Sequence, residues 1–349
     1  MSDLLRINDV SIAPGTRTTV DLPVGRLYTN TPMSMPVHVI CGKHPGPRLF
    51  ISAAIHGDEI IGVEIIRRLM TLPAVKRIRG ALLTVPIVNA HGLINHSRYL
   101  PDRRDLNRSF PGSVKGSLAA RLAHLFMNEI VLNSTHGIDI HTGAQHRDNL
   151  PQIRANLDEP ETLELARAFG VPVLLNSTVR DGSLRQAAAD EGIPMLLYEA
   201  GEALRFDELS IRAGVKGIIN VMHALHMLPE RRGKPKQPLE PFIARTSTWI
   251  RAPNGGILRP MVKLGKRISK GDLLGIISEP FGESEIRILA PANGIVIGRT
   301  NLPLANEGDA LFHVARFDKV GVVAAKVEEF QEEHHVDPDI TPAGEGPIV

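Results

Sequence analysis

The 349-residue chain is poor in cysteine, in net charge and in long apolar runs. Cys41 is its single cysteine, which excludes an internal disulfide and any multi-thiolate zinc or iron–sulfur site. Forty Lys and Arg face 38 Asp and Glu, a formal net charge of +2. Neither sign dominates, so no nucleic-acid or membrane-surface partner is expected. No stretch approaches the roughly 18 uncharged apolar residues of a membrane span, and mean hydropathy is near zero. The opening MSDLLRINDV has no basic segment followed by an apolar one, so no secretory signal is expected. The solitary thiol fits the same cytoplasmic expectation. What the chain does have is histidine, 14 in all. A metal would have to be held by imidazole and carboxylate.

Residues 1–230 alternate strand-like and helix-like segments. Arg48 to Ile55, Ala81 to Val88, Gly137 to His141, Val171 to Leu175 and Pro194 to Glu199 read as strands. Glu59 to Leu72, Leu118 to Val131, Leu163 to Phe169, Leu184 to Glu191 and Asp207 to Leu228 carry apolar residues at helical spacing. The rhythm predicts an α/β unit with a mostly parallel sheet covered on both faces. Residues 231–241 lie in a Pro- and Lys/Arg-rich linker. Residues 242–320 are β-rich and contain a repeat. Ala252-Pro253-Asn254-Gly255-Gly256-Ile257 resembles Ala290-Pro291-Ala292-Asn293-Gly294-Ile295, and the Gly271-Asp272 turn resembles Gly308-Asp309. This region is similar to the barrel-sandwich hybrid of biotinyl and lipoyl carriers. The hairpin segment Ser278 to Ile286 lacks the lysine a carrier needs, which favours a structural or subunit-joining appendage in a homo-oligomer. Residues 321–349 read as a tail, frayed from Glu328 onward.

The chemistry concentrates at strand ends. His56-Gly57-Asp58-Glu59 follows an apolar strand and opens a helix, with His56 and Glu59 near enough to share one ion. A helix cap by Asp58 is the plainer alternative. In Asp139-Ile140-His141, period-two alternation puts Asp139 and His141 on one face and Ile138 and Ile140 on the other. His141 is the candidate third ligand, and Asp139 an acceptor for an imidazole N–H. Arg98 to Gly112 is a polar loop dense in arginine, either solvated or a carboxylate clamp. Asn107 and Arg108 could hold an anionic group, and Arg98 an oxyanion. Glu199 ends an apolar strand, as a general base would, with Glu202 as a decoy. Arg147, Asn149 and Arg154 follow His141 and could line the pocket, and Arg180 is a weaker candidate. His136, His146, His223, His226 and His334-His335 have no partner motif.

These motifs stand in the order of the succinylglutamate desuccinylase/aspartoacylase family, a branch of the zinc carboxypeptidase fold, which the chain resembles over roughly residues 30 to 320. The resemblance implies one zinc per chain held by His56, Glu59 and His141. It implies Glu199 as catalytic glutamate and Arg98 as the arginine that polarises the scissile carbonyl. Asn107 and Arg108 would bind the substrate carboxylate, and Asp139 would orient a zinc histidine. The spacing departs from aspartoacylase by three residues, roughly Asp102 to Arg104. The implied activity is hydrolysis of an N-acyl amino acid or similar small amide. A metallocarboxypeptidase or peptide amidase is the alternative on the same fold, and a non-enzymatic carrier or scaffold the remaining one.

Overall fold

The computed structural model describes residues 4–177, 181–229, 242–244, 246–317 and 320–335. A small hairpin, β1 (Leu5–Ile7) and β2 (Val10–Ile12), precedes two long strands, β3 (Arg17–Arg26) and β4 (Pro32–Cys41). The alternating part runs β5 (Arg48–Ala53), α1 (Ile61–Thr71), β6 (Ala81–Val85), α2 (Ala90–Ile94) and α3 (Leu118–Phe126). It continues through β7 (His136–Gly143), β8 (Arg147–Ala155), α4 (Pro160–Phe169), β9 (Val173–Asn176), α5 (Leu184–Asp190), β10 (Met195–Glu202) and α6 (Glu208–Ala224). The C-terminal part holds β11 (Phe242–Ala244), β12 (Thr246–Arg251), β13 (Gly256–Pro260), β14 (Arg267–Ile268) and β15 (Leu273–Ser278). It ends with β16 (Glu285–Leu289), β17 (Gly294–Thr300), β18 (Leu304–Ala305), β19 (Ala310–Arg316) and α7 (Val320–His335). Among the described residues no helix is long and apolar enough to cross a membrane.

The architecture is mixed α/β, and the sheet is less parallel than expected. Its centre, β6-β5-β7-β10, is parallel. Its flanks are antiparallel, with β4 against β6, β3 against β4, and β8 against β10. The connections explain this. A tight turn after β7 sends β8 back in the opposite direction, whereas parallel neighbours need a long crossover. β8 itself carries Arg147, Asn149 and Arg154, a stretch to which apolar periodicity assigns no element.

Alternation along the central strands feeds two cores. Leu49 and Ile51 of β5 face α1, α4 and α6, and so do Ile138 and Ile140 of β7. Phe50 faces the opposite way, towards α3 and α5. Helices therefore cover both faces. In α1 the apolar stripe Ile61, Ile65, Ile66 and Leu69 has the spacing of a single helical face.

The linker at 231–241 lies outside the described residues. Strands beyond it extend the main sheet: β11 pairs with β9, and β17 pairs with β8 through Gly298 opposite Asn149. The repeat folds as two interlocked halves. β13 pairs with β15 and β17 with β19, while the short β18 and β14 cross over, β18 to β13 and β14 to β17. The turns interlock too. Ala252 bonds to Gly308 and Asp309, and Ala290 to Gly271 and Asp272.

The tail expected at 321–349 begins as the helix α7. Val323, Val327, Phe330 and His334 are buried on one stripe, and Lys216 of α6 pairs with Glu333 at 2.9 Å. The acidic composition masked a helical stripe of apolar residues. His334 is committed to the Phe330 carbonyl at 2.8 Å.

Candidate active site

The site forms where β5, β7 and β10 end. Ala54, just past β5, has a left-handed backbone with φ of 51°, rare for a residue with a side chain. The next residues turn sharply against α2. A Cβ on Gly57 would lie 1.9 Å from the Gly92 backbone, so only glycine permits the approach. Buried Asn89 fastens the turn, donating to the Ile55 carbonyl and accepting from Gly92 N–H. Asp58 does not cap α1. The N-cap is Ile60, with no side-chain cap bond, and Asp58 accepts from Gln145 instead. Glu59 is turned inward.

Two imidazoles converge on Glu59. His56 Nδ1 lies 2.7 Å from one carboxylate oxygen and His141 Nδ1 2.7 Å from the other. Their outer nitrogens are backed by acids: His141 Nε2 lies 2.6 Å from Asp139, and His56 Nε2 3.2 Å from Asp105. Asp139 also accepts from Ser52 at 2.7 Å. Its alternation with His141 is the one expected, since Ile138 and Ile140 face the opposite core. Asp105 has an unanticipated place. It lies in the Asp-Leu-Asn-Arg motif, and its second oxygen accepts from Arg98 Nη2 at 2.9 Å.

His56, Glu59 and His141 form the one group of three potential ligands among the described residues, their donor atoms within 4.8 Å of one another. The donor set suits a metal. A carboxylate held on Nε2 leaves Nδ1 as the atom that would meet an ion, and both Nδ1 atoms lie against the same carboxylate. Burial opposes charge on these groups, but the mutual attractions outweigh it. Glu59 and Asp105 are held far below the ordinary carboxylate range, and His56 and His141 are pushed upward.

His56, Glu59, Arg98, Asn107, Arg108, Asp139, His141, Arg154 and Glu199 line one cavity of about 380 Å³. Arg98 reaches the His56-Glu59-His141 group itself, 3.2 Å from Glu59 and from His56 Nδ1. Asp102 to Arg104, where the spacing departs from aspartoacylase, lie in a closed turn, with Leu100 N–H on the Arg104 carbonyl and Arg103 N–H on the Leu100 carbonyl. Asn107 spends its Oδ1 on Leu184 N–H at the start of α5, which leaves its Nδ2 as donor. Arg108 turns Nη1 onto the Asn107 carbonyl. Glu199 accepts from Asn149 Nδ2 at 2.7 Å, and Arg154 Nε lies 2.8 Å from its other oxygen with the N–H aimed off line. Glu202 lies outside this cavity, bonded to Asn301 and the His146 N–H. Arg147 lies over Trp249, and Arg180 is outside the described residues.

The sequence and the fold both have relatives. The succinylglutamate desuccinylase/aspartoacylase catalytic domain matches residues 45–225. The N-alpha-acetyl-L-2,4-diaminobutyric acid deacetylase of Halomonas elongata is 25% identical over 295 residues, covering 80% of this chain and 85% of that one. A succinylglutamate desuccinylase/aspartoacylase from Rhodobacter sphaeroides superposes with a TM-score of 0.78 at 24% identity, over 89% of this chain and 98% of that one. The product-bound ectoine utilization protein EutE (DoeB) from Ruegeria pomeroyi superposes with a TM-score of 0.76 at 23% identity, over 86% and 94% of the two chains. With the domain match spanning more than half its length, the chain belongs to the succinylglutamate desuccinylase/aspartoacylase family.

Proposed function

We propose that this protein is a zinc-dependent deacylase that hydrolyses the amide bond of an N-acyl amino acid or similar small amide. The observation that carries the proposal is the convergence of His56, Glu59 and His141 in one small cavity with Glu199 and an arginine-rich wall. The family and its deacetylase member support the reaction class. His56, Glu59 and His141 would hold the ion, oriented by Asp105 and Asp139. A bound zinc supplies a water of lowered pKa and polarisation of the scissile carbonyl.

The side chains divide the remaining work. Glu199 takes the proton from the attacking water and returns it to the leaving amine nitrogen. Asn149 holds that carboxylate in place. Arg98 donates to the carbonyl oxygen as it gains negative charge. Asn107 Nδ2 and the guanidinium of Arg108 bind the substrate carboxylate, and Arg154 lines the far wall. A cavity of about 380 Å³ suits a small amide better than a peptide, which favours this reading over a carboxypeptidase.

The test joins metal content to a hydrolysis panel of N-acetyl, N-succinyl and dipeptide substrates. One tightly bound zinc per chain, lost in His56→Ala, and cleavage of N-acyl amino acids are expected. A metal-free parent protein, or cleavage of dipeptides alone, would overturn the assignment.

A further inference from the structure

Beside the catalytic cavity lies a second one of about 250 Å³, and the two share Arg154, Asn176 and Ser177 as a common wall. Its other side is built by the C-terminal strands, from Thr246, Ser247 and Trp249 of β12 and His313 of β19. A row of paired residues runs across the sheet between the two cavities. Asn149 of β8 stands opposite Gly298 of β17, Gly298 opposite His313, and His313 opposite Trp249. Gly298 keeps the row open: a Cβ there would lie 2.7 Å from Asn149 Oδ1 and 3.2 Å from His313 Cβ. Asn149 is the residue that holds Glu199.

The chemistry of the second cavity is specific. Trp249 stacks on His313, ring centroids 4.6 Å apart and 7° from parallel, and the Arg147 guanidinium carbon lies 5.4 Å from the indole centroid. The tryptophan is thus a fixed wall. His313 is 5% exposed, and its Nδ1 is buried without a partner. Such an orphan costs stability unless something completes it. Burial, seconded by Arg154, pushes the imidazole down to about 3, so it stays neutral. Among the described residues no carboxylate lines this cavity, and the one cation in its lining, Arg154, already faces Glu199, while Arg147 is held over Trp249. A cationic group would find no counter-charge there. An anionic group would compete with Glu199 for Arg154. The hydroxyls of Thr246 and Ser247 and the neutral imidazole remain, because Asn176 is spent on Leu157 N–H and Asp158, and Ser177 accepts from Arg185.

We infer that this second cavity receives an uncharged, hydrogen-bonding arm of the substrate, a carboxamide or hydroxylated chain carried on either side of the scissile amide. The inference rests on the deacylase reading and narrows it. It separates this chain from a relative named for a diaminobutyric acid, whose side chain is an amine, and from a desuccinylase, whose acyl group ends in a carboxylate.

The experiment compares kcat/KM for N-acetylalanine, N-acetylglutamine, N-acetylglutamate, N-acetyl-2,4-diaminobutyrate and N-succinamoylalanine. N-acetylglutamine puts the carboxamide on the amino-acid side and N-succinamoylalanine on the acyl side. One of the two is expected to exceed both charged-arm substrates by about tenfold or more, because a site built for hydrogen bonds rejects a mismatched group strongly. Ser247→Leu, on an exposed strand position, fills the cavity. It is expected to collapse the ratio of the preferred substrate to N-acetylalanine by about tenfold, through KM. A preference for either charged arm, or a ratio that Ser247→Leu does not move, overturns the inference. If no substrate is cleaved, the deacylase reading falls and calorimetry judges the cavity alone. N-acetylglutamine binding more tightly than N-acetylalanine, with the difference lost in Ser247→Leu, would uphold it. Equal affinities would end it.

Discussion

Helix α1 has a buried cluster of charge at each end. At its C-terminal end Arg68, 1% exposed, donates to Glu64 at 2.7 Å and to both oxygens of Glu208 at 2.8 and 2.9 Å. Arg67 and Arg212 fill the remaining carboxylate positions. Three guanidinium groups thus face two carboxylates, and each carboxylate is shared between two arginines. At the other end Glu59 and Asp105 face Arg98, and Asp105 and Asp139 back the two imidazoles that meet on Glu59. The first cluster is closed and holds helices together. The second opens on a cavity, with three potential ligands side by side in its wall. Burial of charge alone does not mark a functional site; access to a cavity and a shared donor set do.

The sharpest way to test this contrast is to remove the proton carrier and leave the ion site intact. Glu199→Gln is expected to lower kcat by a factor on the order of 10²–10⁴ while zinc content stays at the parent level. Zinc lost along with turnover would assign Glu199 to the ligand group. In the closed cluster, Arg68→Ala takes from Glu208 its two-pronged partner and from buried Glu64 one of its donors. It should cost about 3–5 kcal/mol in denaturant unfolding, with zinc per folded chain unaltered. An Arg68→Ala protein that kept its stability and lost zinc would erase the distinction. Asp105→Asn tests the support of the open cluster, and zinc affinity should fall on the order of 10–100-fold in a chelator titration.

Acid should dissect the two ends further. Burial raises Glu64 and Glu208, but their arginines outweigh it and hold both below the ordinary carboxylate range. A depressed folded pKa gives stability that is present above the unfolded value and lost as pH falls. The melting temperature should therefore drop below about pH 4.5, and drop less steeply in Arg68→Met. The smallest effect is expected at Asp148, pushed up to about 6 by burial and by Asp207 and Glu202. The sign there is opposite: the folded state binds the proton more tightly, so stability declines as pH rises through that range. Asp148→Asn should raise neutral-pH stability by about 1 kcal/mol or less, given its partial exposure.

How far these clusters could be read without coordinates differs by residue. His56, Glu59, Asp139 and His141 were legible because a strand end and a two-residue period fix their directions. Asp105 was not assigned, although its motif was recognised, because nothing local says that a loop carboxylate reaches back to His56. The strand β8 was hidden by its polar residues. These face the active site, as Arg154 does, or its supports, as Asn149 does. The antiparallel flanks depended on connections too short for crossovers, which apolar periodicity does not report. Helix α7 was misread because acidic residues surround its buried stripe, whose burial needs α6 as a partner. Trp249 and His313 attracted no notice because their meeting depends on pairing between strands far apart in the chain.

The crossed turns of the C-terminal repeat carry a consequence for the history and handling of the chain. Each half completes the backbone bonds of the other, through Ala252 on Gly308 and Asp309 and through Ala290 on Gly271 and Asp272. Neither copy is a finished module on its own. Separating the two copies removes both sets of clasps at once, so the halves stand or fall together as a single cooperative unit.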